Sequence, residues 1–164
     1  MNLTPASFYV SARFGRQAEA RRVADSITEL TGWRSNSRWL DDTPENDVAI
    51  HRHLSLSALA ARSDFDDIAR SDFVVCLTEA VDPVLFRDPT GEPLVPASAA
   101  RGGRHVEVGF AIAKGIPVFT IGPRENLFHA LCYPADNVAH VVEKVRRSLP
   151  WVTNGPMPPG RSGV

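Results

Sequence analysis

Apolar positions recur with two different periods along this chain. Ser7 to Ala12 (SFYVSA) is a short apolar run that ends at the basic turn Arg13-Phe14-Gly15-Arg16. Behind it Ala20, Val23, Ala24, Ile27 and Leu30 return at steps of three and four, the stripe of an amphipathic helix, and Thr31-Gly32 closes it with a glycine just past the last turn. Trp33 to Leu40 (WRSNSRWL), aromatic towards both ends, reads as a second strand, broken by Asp41-Asp42-Thr43-Pro44. Asn46 to Arg70 holds neither glycine nor proline, and Ile50, Leu54, Ser57, Ala61, Phe65 and Ile68 trace one helical face. Within it Ser63, with Asp66 three residues on, resembles a capping box and offers a second helix start. Phe73-Val74-Val75-Cys76-Leu77 is a continuous apolar run, the pattern of a strand covered on both faces, and is placed at the centre of the sheet.

The second half repeats the alternation. Glu79 to Arg101 has four prolines and no period, so it reads as a long functional or disordered loop. Gly102-Gly103 then leads into a helix beginning near Arg104, with Val106, Phe110 and Ala113 at helical spacing and Gly115 as its stop. Ile116 to Ile121 (IPVFTI) is a buried strand, followed by the turn Gly122 to Asn126. Leu127 to Leu131 suits one helical turn, Cys132-Tyr133 a short edge strand, and Val138, Val141, Val142, Val145 and Leu149 a last helix. Strand and helix alternating in this way predict an α/β domain, a parallel sheet with helices on both faces. Residues 1–152 form that single domain, and the Pro/Gly-rich stretch 153–164 is expected to be a flexible tail or to wrap on a partner chain.

Composition narrows the function. With 164 residues, 43% hydrophobic and 23% charged, the chain can bury a core without disulfides or metals. A formal net charge of −1 argues against general binding of a nucleic acid polymer or an anionic membrane, since both need a concentrated positive field. Cys76 and Cys132 are far apart and have no ligand spacing to the five histidines, so they read as thiols in a reducing compartment, with no metal site. The first residues, MNLTPASFYV, lack the pattern of a secretory signal, and no apolar run is long enough to span a bilayer; a cytoplasmic location is the expectation.

In a parallel sheet ligands sit beyond the carboxyl ends of the strands. Here that edge carries Ser11 to Arg16, Trp39 to Asp42, Thr78-Glu79 and Gly122 to Asn126, with the Gly102 to Glu107 loop beside it. Ser11, Arg13, Gly15 and Arg16 offer a hydroxyl, two guanidinium groups and backbone donors at a helix start, the equipment for a phosphate or carboxylate. Neither a P-loop nor a dinucleotide fingerprint is present. Glu107 is placed in a first helical turn, where the helix dipole favours its ionised form and a glycine loop admits a ligand; the same position also suits a residue that only stabilises the helix. Asp64 borders the buried face of its helix, either as a cap partner of Ser63 or Arg62 or as a second carboxylate facing Glu107. Two carboxyl groups flanking a glycosidic bond can cleave it through a covalent sugar intermediate. Tyr9 and Trp39 read as core unless they turn towards the ligand edge. His105 and His129 suit general acids or structural donors, and Asp72 a cap on the turn before the central strand.

Three segments, FYVSARFGR, DFDDIARSDFVVCLTE and GGRHVEVGFAIAKGIPVFTIGPRENLFH, in this order from Phe8 to His129, resemble the nucleoside 2-deoxyribosyltransferase family, including its nucleotide N-glycosidase branch. The resemblance implies a flavodoxin-like, doubly wound sheet of five parallel strands. It implies a nucleophilic glutamate in the pattern E-[LV]-G-[YF]-A, which falls on Glu107-Val108-Gly109-Phe110-Ala111. The helper aspartate, eight residues before the aspartate that opens the central strand, falls on Asp64, and the aromatic hydroxyl of the first strand on Tyr9. Ser11, Arg13, Gly15 and Arg16 match the turn that holds the 5′-phosphate in the hydrolase branch. The approach to the glutamate, Ala100-Arg101-Gly102-Gly103-Arg104, departs from the family in being more basic, which favours an anionic substrate. Gly102, Gly103, Arg104, Trp39 and Asn126 complete the expected substrate contacts.

The expected function is cleavage of the N-glycosidic bond of a nucleoside 5′-monophosphate, ribose or deoxyribose, by Glu107 and Asp64 with Tyr9 positioning Glu107. No cofactor is implied. The alternatives are a 2′-deoxyribosyltransferase exchanging bases, and a nucleotide-binding sensor without turnover. The partner is a small nucleotide or nucleoside, and the resemblance implies a homodimer or larger homo-oligomer.

Overall fold

The computed structural model describes residues 5–43, 52–79 and 103–149. Gly102, most of the loop between Glu79 and Arg101, the expected helix start at Asn46 and the tail 153–164 lie outside the described residues. Five strands, β1 (Ser7–Ser11), β2 (Arg34–Ser35), β3 (Phe73–Leu77), β4 (Val118–Ile121) and β5 (Tyr133–Ala135), form one sheet. All pairs are parallel, in the order β2-β1-β3-β4-β5, the flavodoxin-like arrangement. The helices are α1 (Gln17–Thr31), α2 (Leu54–Ala69), α3 (Gly103–Ala113) and α4 (Val138–Ser148), with short 3-10 turns at Phe14–Arg16, Arg38–Asp41 and Leu127–Leu131.

Alternation along β1 divides the core. Phe8 and Val10 face α1 and α4, where they join Ala20, Ala24, Ile27, Trp33, Phe73, Phe119, Val141 and Val145. Phe73 anchors that side, stacked on Phe8 at 5.6 Å and edge-on to Trp33 and Phe119 at 5.5 and 5.8 Å. Tyr9 faces the other way, towards Ile68 of α2 and Val108 and Ala111 of α3, with Val74 and Cys76. Tyr9, α2 and α3 therefore share one face of the sheet. Gly32 ends α1 at φ 72°, as its glycine predicts.

Four expectations are corrected. The second strand is two residues long rather than running from Trp33 to Leu40. Its segment is poor in alternating apolar residues, and after Asn36, whose N–H still donates to the Phe8 carbonyl at 2.8 Å, side chains replace the ladder: the Val10 N–H donates to Ser37 Oγ at 2.7 Å, and Trp39 Nε1 donates to the Val10 carbonyl at 2.8 Å. Helix α2 runs unbroken through Ser63, so no second helix starts there. Its expected buried face holds only at the C-terminal end, where Ile68 is buried and Phe65 stacks on Phe110 at 4.5 Å; Leu54 is 87% exposed. Asp72 ties two strands together, its Oδ2 accepting from Ser7 N at 2.7 Å and Ser7 Oγ at 3.2 Å.

Candidate active site

Because every strand points the same way, the ends of β1, β3 and β4 open on one edge of the sheet. Register sets Tyr9 beside Val74 and Ser11 beside Cys76, so Tyr9 and Ser11, two residues apart, present their side chains on the α2/α3 face. From α3, Glu107 lies one position before the buried Val108 and one turn before the buried Ala111. From α2, Asp64 stands one turn before the buried Ile68. Tyr9, Ser11, Asp64 and Glu107 are brought together.

Ser11 Oγ donates to Glu107 Oε2 at 2.6 Å. Burial nonetheless pushes the Glu107 carboxyl from the ordinary 4.5 up to about 7; the Ser11 bond pulls it down, and the charge on Asp64 adds to the rise. Glu107 is the fifth residue of the described α3, not a first-turn residue. Desolvation outweighs the helix dipole, whose effect fades within the first turn, and shifts the carboxyl against the expected preference for the ionised form. Asp64 is likewise raised from 3.8 to about 6, chiefly by burial, then opposed by Tyr9, with further upward pressure from Asp67 and Asp42. The Tyr9 hydroxyl is buried beside both carboxylates. Desolvation first, and the two negative charges after it, raise its pKa well above 10, so it stays neutral and able to donate. It closes no hydrogen bond of normal geometry and stands as a buried donor beside the two acids.

The expected anion-binding residues form a second cluster. Arg13 Nη1 pairs with Glu79 Oε2 at 2.6 Å. Arg16 makes a forked pair with Glu19 at 2.6 and 2.7 Å and donates to the Thr78 carbonyl at 2.9 Å. Arg104 is buried and donates through Nη2 to both oxygens of Glu125, at 2.8 and 2.9 Å. Gly15 is exposed and Gly103 opens α3; a Cβ on either would meet nothing within 4 Å, so neither glycine is required by a close approach. Trp39 is half-buried with its polar atom committed to Val10. Asn126 caps the Leu127–Leu131 turn through its Oδ1. Its Nδ2 therefore donates to His105 Nδ1 at 3.2 Å.

Sequence reasoning missed four acids. Glu19, Glu79 and Glu125 neutralise the basic cluster, and Asp67, fully buried, holds Arg38 at 2.8 Å and Arg70 at 2.6 Å. The signal for Asp67 was present, one position before Ile68 on a predicted apolar face; nothing local pairs Glu125 with Arg104, 21 residues away. One ring nitrogen of His105, one of His129 and a Glu125 oxygen lie within 4.8 Å of one another. The donor set fits a cation poorly. Both Nδ1 atoms accept hydrogen bonds, from Asn126 Nδ2 and from the Glu125 N–H, which in the neutral rings leaves the protons on Nε2. Arg104 meanwhile takes both Glu125 oxygens. Cys76 and Cys132 are buried thiols, Cys76 pushed up to about 12 by desolvation, and neither suits a nucleophile at neutral pH. Among the described residues no helix is long and apolar enough to cross a membrane.

No protein-family model matches the chain, and no curated protein matches it. Among solved structures it is similar to the Clostridium botulinum CMP N-glycosidase BcmB, with a TM-score of 0.45 and 15% identity over 86% of this chain and 98% of that one.

Proposed function

We propose that the protein cleaves the N-glycosidic bond of a nucleoside 5′-monophosphate. The observation that carries this reading is the grouping of Glu107 and Asp64 around the Tyr9 hydroxyl at the carboxyl edge of the sheet, each acid raised towards neutrality. Glu107 attacks C1′ and the bond from C1′ to the base nitrogen breaks. Its electron pair leaves with the base, which takes a proton from Asp64. Water then adds to C1′, giving its proton to Asp64, and Glu107 is released with a free base and a sugar phosphate as products. Positive charge developing at C1′ favours an ionised Glu107 over an ionised Asp64, so the proton that the two acids share near neutral pH is carried by Asp64 as the reaction begins, which reconciles a nucleophile with its raised value. Ser11 holds the carboxylate by donation, and the Tyr9 hydroxyl stands beside it as a further donor. Ser11 is thereby read as a partner of the nucleophile rather than of the phosphate.

The test is incubation with a panel of nucleoside 5′-monophosphates, with free base quantified by chromatography, for the unaltered protein and Glu107→Ala. Release abolished by the substitution is expected. Tight binding without release would leave a sensor in place of an enzyme. An added acceptor base that is converted into a new nucleotide or nucleoside identifies transfer instead of hydrolysis.

A further inference from the structure

Glu79 sits among three arginines drawn from two separate parts of the fold. Arg13 touches its Oε2 at 2.6 Å, whereas Arg16 Nη1 and Arg104 Nη1 both face its Oε1 at 3.9 Å, too far to close a hydrogen bond. Arg104 is only 7% exposed along its side chain, and its Nε has no acceptor, so a buried guanidinium beside Glu79 retains an unused donor. A planar carboxylate satisfies one of the three guanidinium groups. A tetrahedral phosphoryl group, with three terminal oxygens, can reach more of them at once.

The charges give the same indication. Arg13, Arg16 and Arg104 are balanced by Glu19, Glu79 and Glu125, and the cluster becomes positive when the Glu79 side chain leaves. Glu19 and Glu125 are each held by a forked pair, but Glu79 has one close contact and a side chain 26% exposed. Its backbone N–H is fixed to Glu125 Oε1 at 2.8 Å, so departure requires only rotation about side-chain bonds.

We propose that the Glu79 carboxylate occupies the seat of an incoming phosphoryl group, which displaces it and takes over Arg13, Arg16 and Arg104. Glu79 then sets specificity. It excludes weak monoanions and neutral ligands from the arginines and yields to a group of charge near −2. The source of the phosphoryl group, a nucleotide or free phosphate, rests on the glycosidase reading; the seat does not.

The experiment is calorimetric titration of the full chain with inorganic phosphate at pH 7.5 and low salt. Glu79→Gln is expected to bind phosphate about 10-fold more tightly than the unaltered protein, roughly one charge-assisted contact no longer contested. Adding Arg13→Gln to that variant is expected to abolish the gain. Equal or weaker binding by Glu79→Gln overturns the proposal. If circular dichroism shows that variant unfolded, Glu79→Asp, which draws the carboxylate back by one methylene, replaces it with the same expected direction and the same overturning result. Cytidine 5′-monophosphate and cytidine distinguish the sources. A gain for the monophosphate and none for cytidine assigns the seat to a nucleotide, a gain for inorganic phosphate alone assigns it to the free ion, and an equal gain for cytidine overturns it. Phosphate binding does not depend on turnover, so failure of the glycosidase reading leaves this result interpretable.

Discussion

Ser11 Oγ and Glu107 Oε2, 96 positions apart in the chain, meet at 2.6 Å where the end of β1 faces α3. A hydroxyl donating to a carboxylate stabilises its charged form, so the bond opposes the desolvation that drives Glu107 up to about 7. Ser11→Ala removes that opposition and raises the Glu107 pKa further, by about one unit for a single charge-assisted bond. The acidic limb of kcat/KM against pH is expected to move to higher pH by that amount, with activity at pH 6 falling about 10-fold. An unmoved limb would mean that Glu107 does not control it.

The two raised carboxyl groups also predict how stability depends on pH. The folded pKa values, about 6 for Asp64 and about 7 for Glu107, exceed the ordinary 3.8 and 4.5, so between pH 4 and 7 the native state binds more protons than the unfolded chain. Their contribution is fully present below the unfolded values and is lost as pH rises through the folded ones. Glu107→Gln, which cannot ionise, is expected to gain on the unaltered protein over this window, reaching about 2 to 3 kcal/mol above pH 7. Paired urea titrations at pH 4.5 and 7.5 measure it; a difference that does not grow with pH refutes the assignment.

The regular part of this fold is legible because it is local. The stripe from Ala20 to Ile27, the run Phe73–Leu77 and the stop at Gly32 each carry their own period or breaker, and the structure follows them. Trp33 to Leu40 is different. Its short strand is decided by Ser37 and Trp39 capturing Val10, a partner 27 and 29 residues away with no trace in local pattern. In α2 the period of apolar residues was correct, but period does not say what covers a face, and Leu54 stands exposed where Ile68 is buried. The candidate site divides in the same way. Resemblance in ordered segments selected Tyr9, Asp64 and Glu107, whereas the pairing of Ser11 with Glu107, of Arg13 with Glu79 and of Arg104 with Glu125 depends on which strand ends lie side by side; only Arg16 with Glu19, three residues apart, is local.

Tyr9 separates function from stability. Its hydroxyl is buried and makes no hydrogen bond of normal geometry, so Tyr9→Phe removes a desolvated polar atom without breaking an existing bond. The variant is expected to unfold within about 0.5 kcal/mol of the unaltered protein, or at slightly higher denaturant. If the hydroxyl orients the nucleophile, base release falls by about 10²-fold while the denaturation midpoint is kept. A matched loss of both would make Tyr9 a packing residue only.

Gly122 joins β4 to the loop carrying Glu125, at φ 113°, a conformation that side chains rarely adopt. A Cβ there would lie 2.5 Å from Thr78 Oγ1 and 2.8 Å from the Thr78 carbonyl, which is backbone and cannot swing aside. Thr78 in turn binds Ile121 O through its N–H at 2.9 Å, so the clash falls on the junction that aligns β3 with β4. Gly122→Ala is expected to cost about 2 to 4 kcal/mol, read as a lowered midpoint in thermal or urea unfolding.

The buried pair of Arg104 and Glu125 gives the sharpest energetic contrast. Both side chains are 7% exposed and the guanidinium spans both carboxylate oxygens, so removing one partner strands the other without water. Glu125→Leu is expected to destabilise by about 3 to 5 kcal/mol, since it leaves Arg104 uncompensated and also frees the Glu79 N–H that Glu125 accepts. Replacing both, Arg104→Met with Glu125→Leu, removes the stranded charge together with its partner and is expected to restore most of that loss. Chemical denaturation of the two single variants and the double one closes the cycle. A double variant no more stable than Glu125→Leu would show that the damage comes from the freed Glu79 backbone and the β4 loop, with the charge pair itself contributing little.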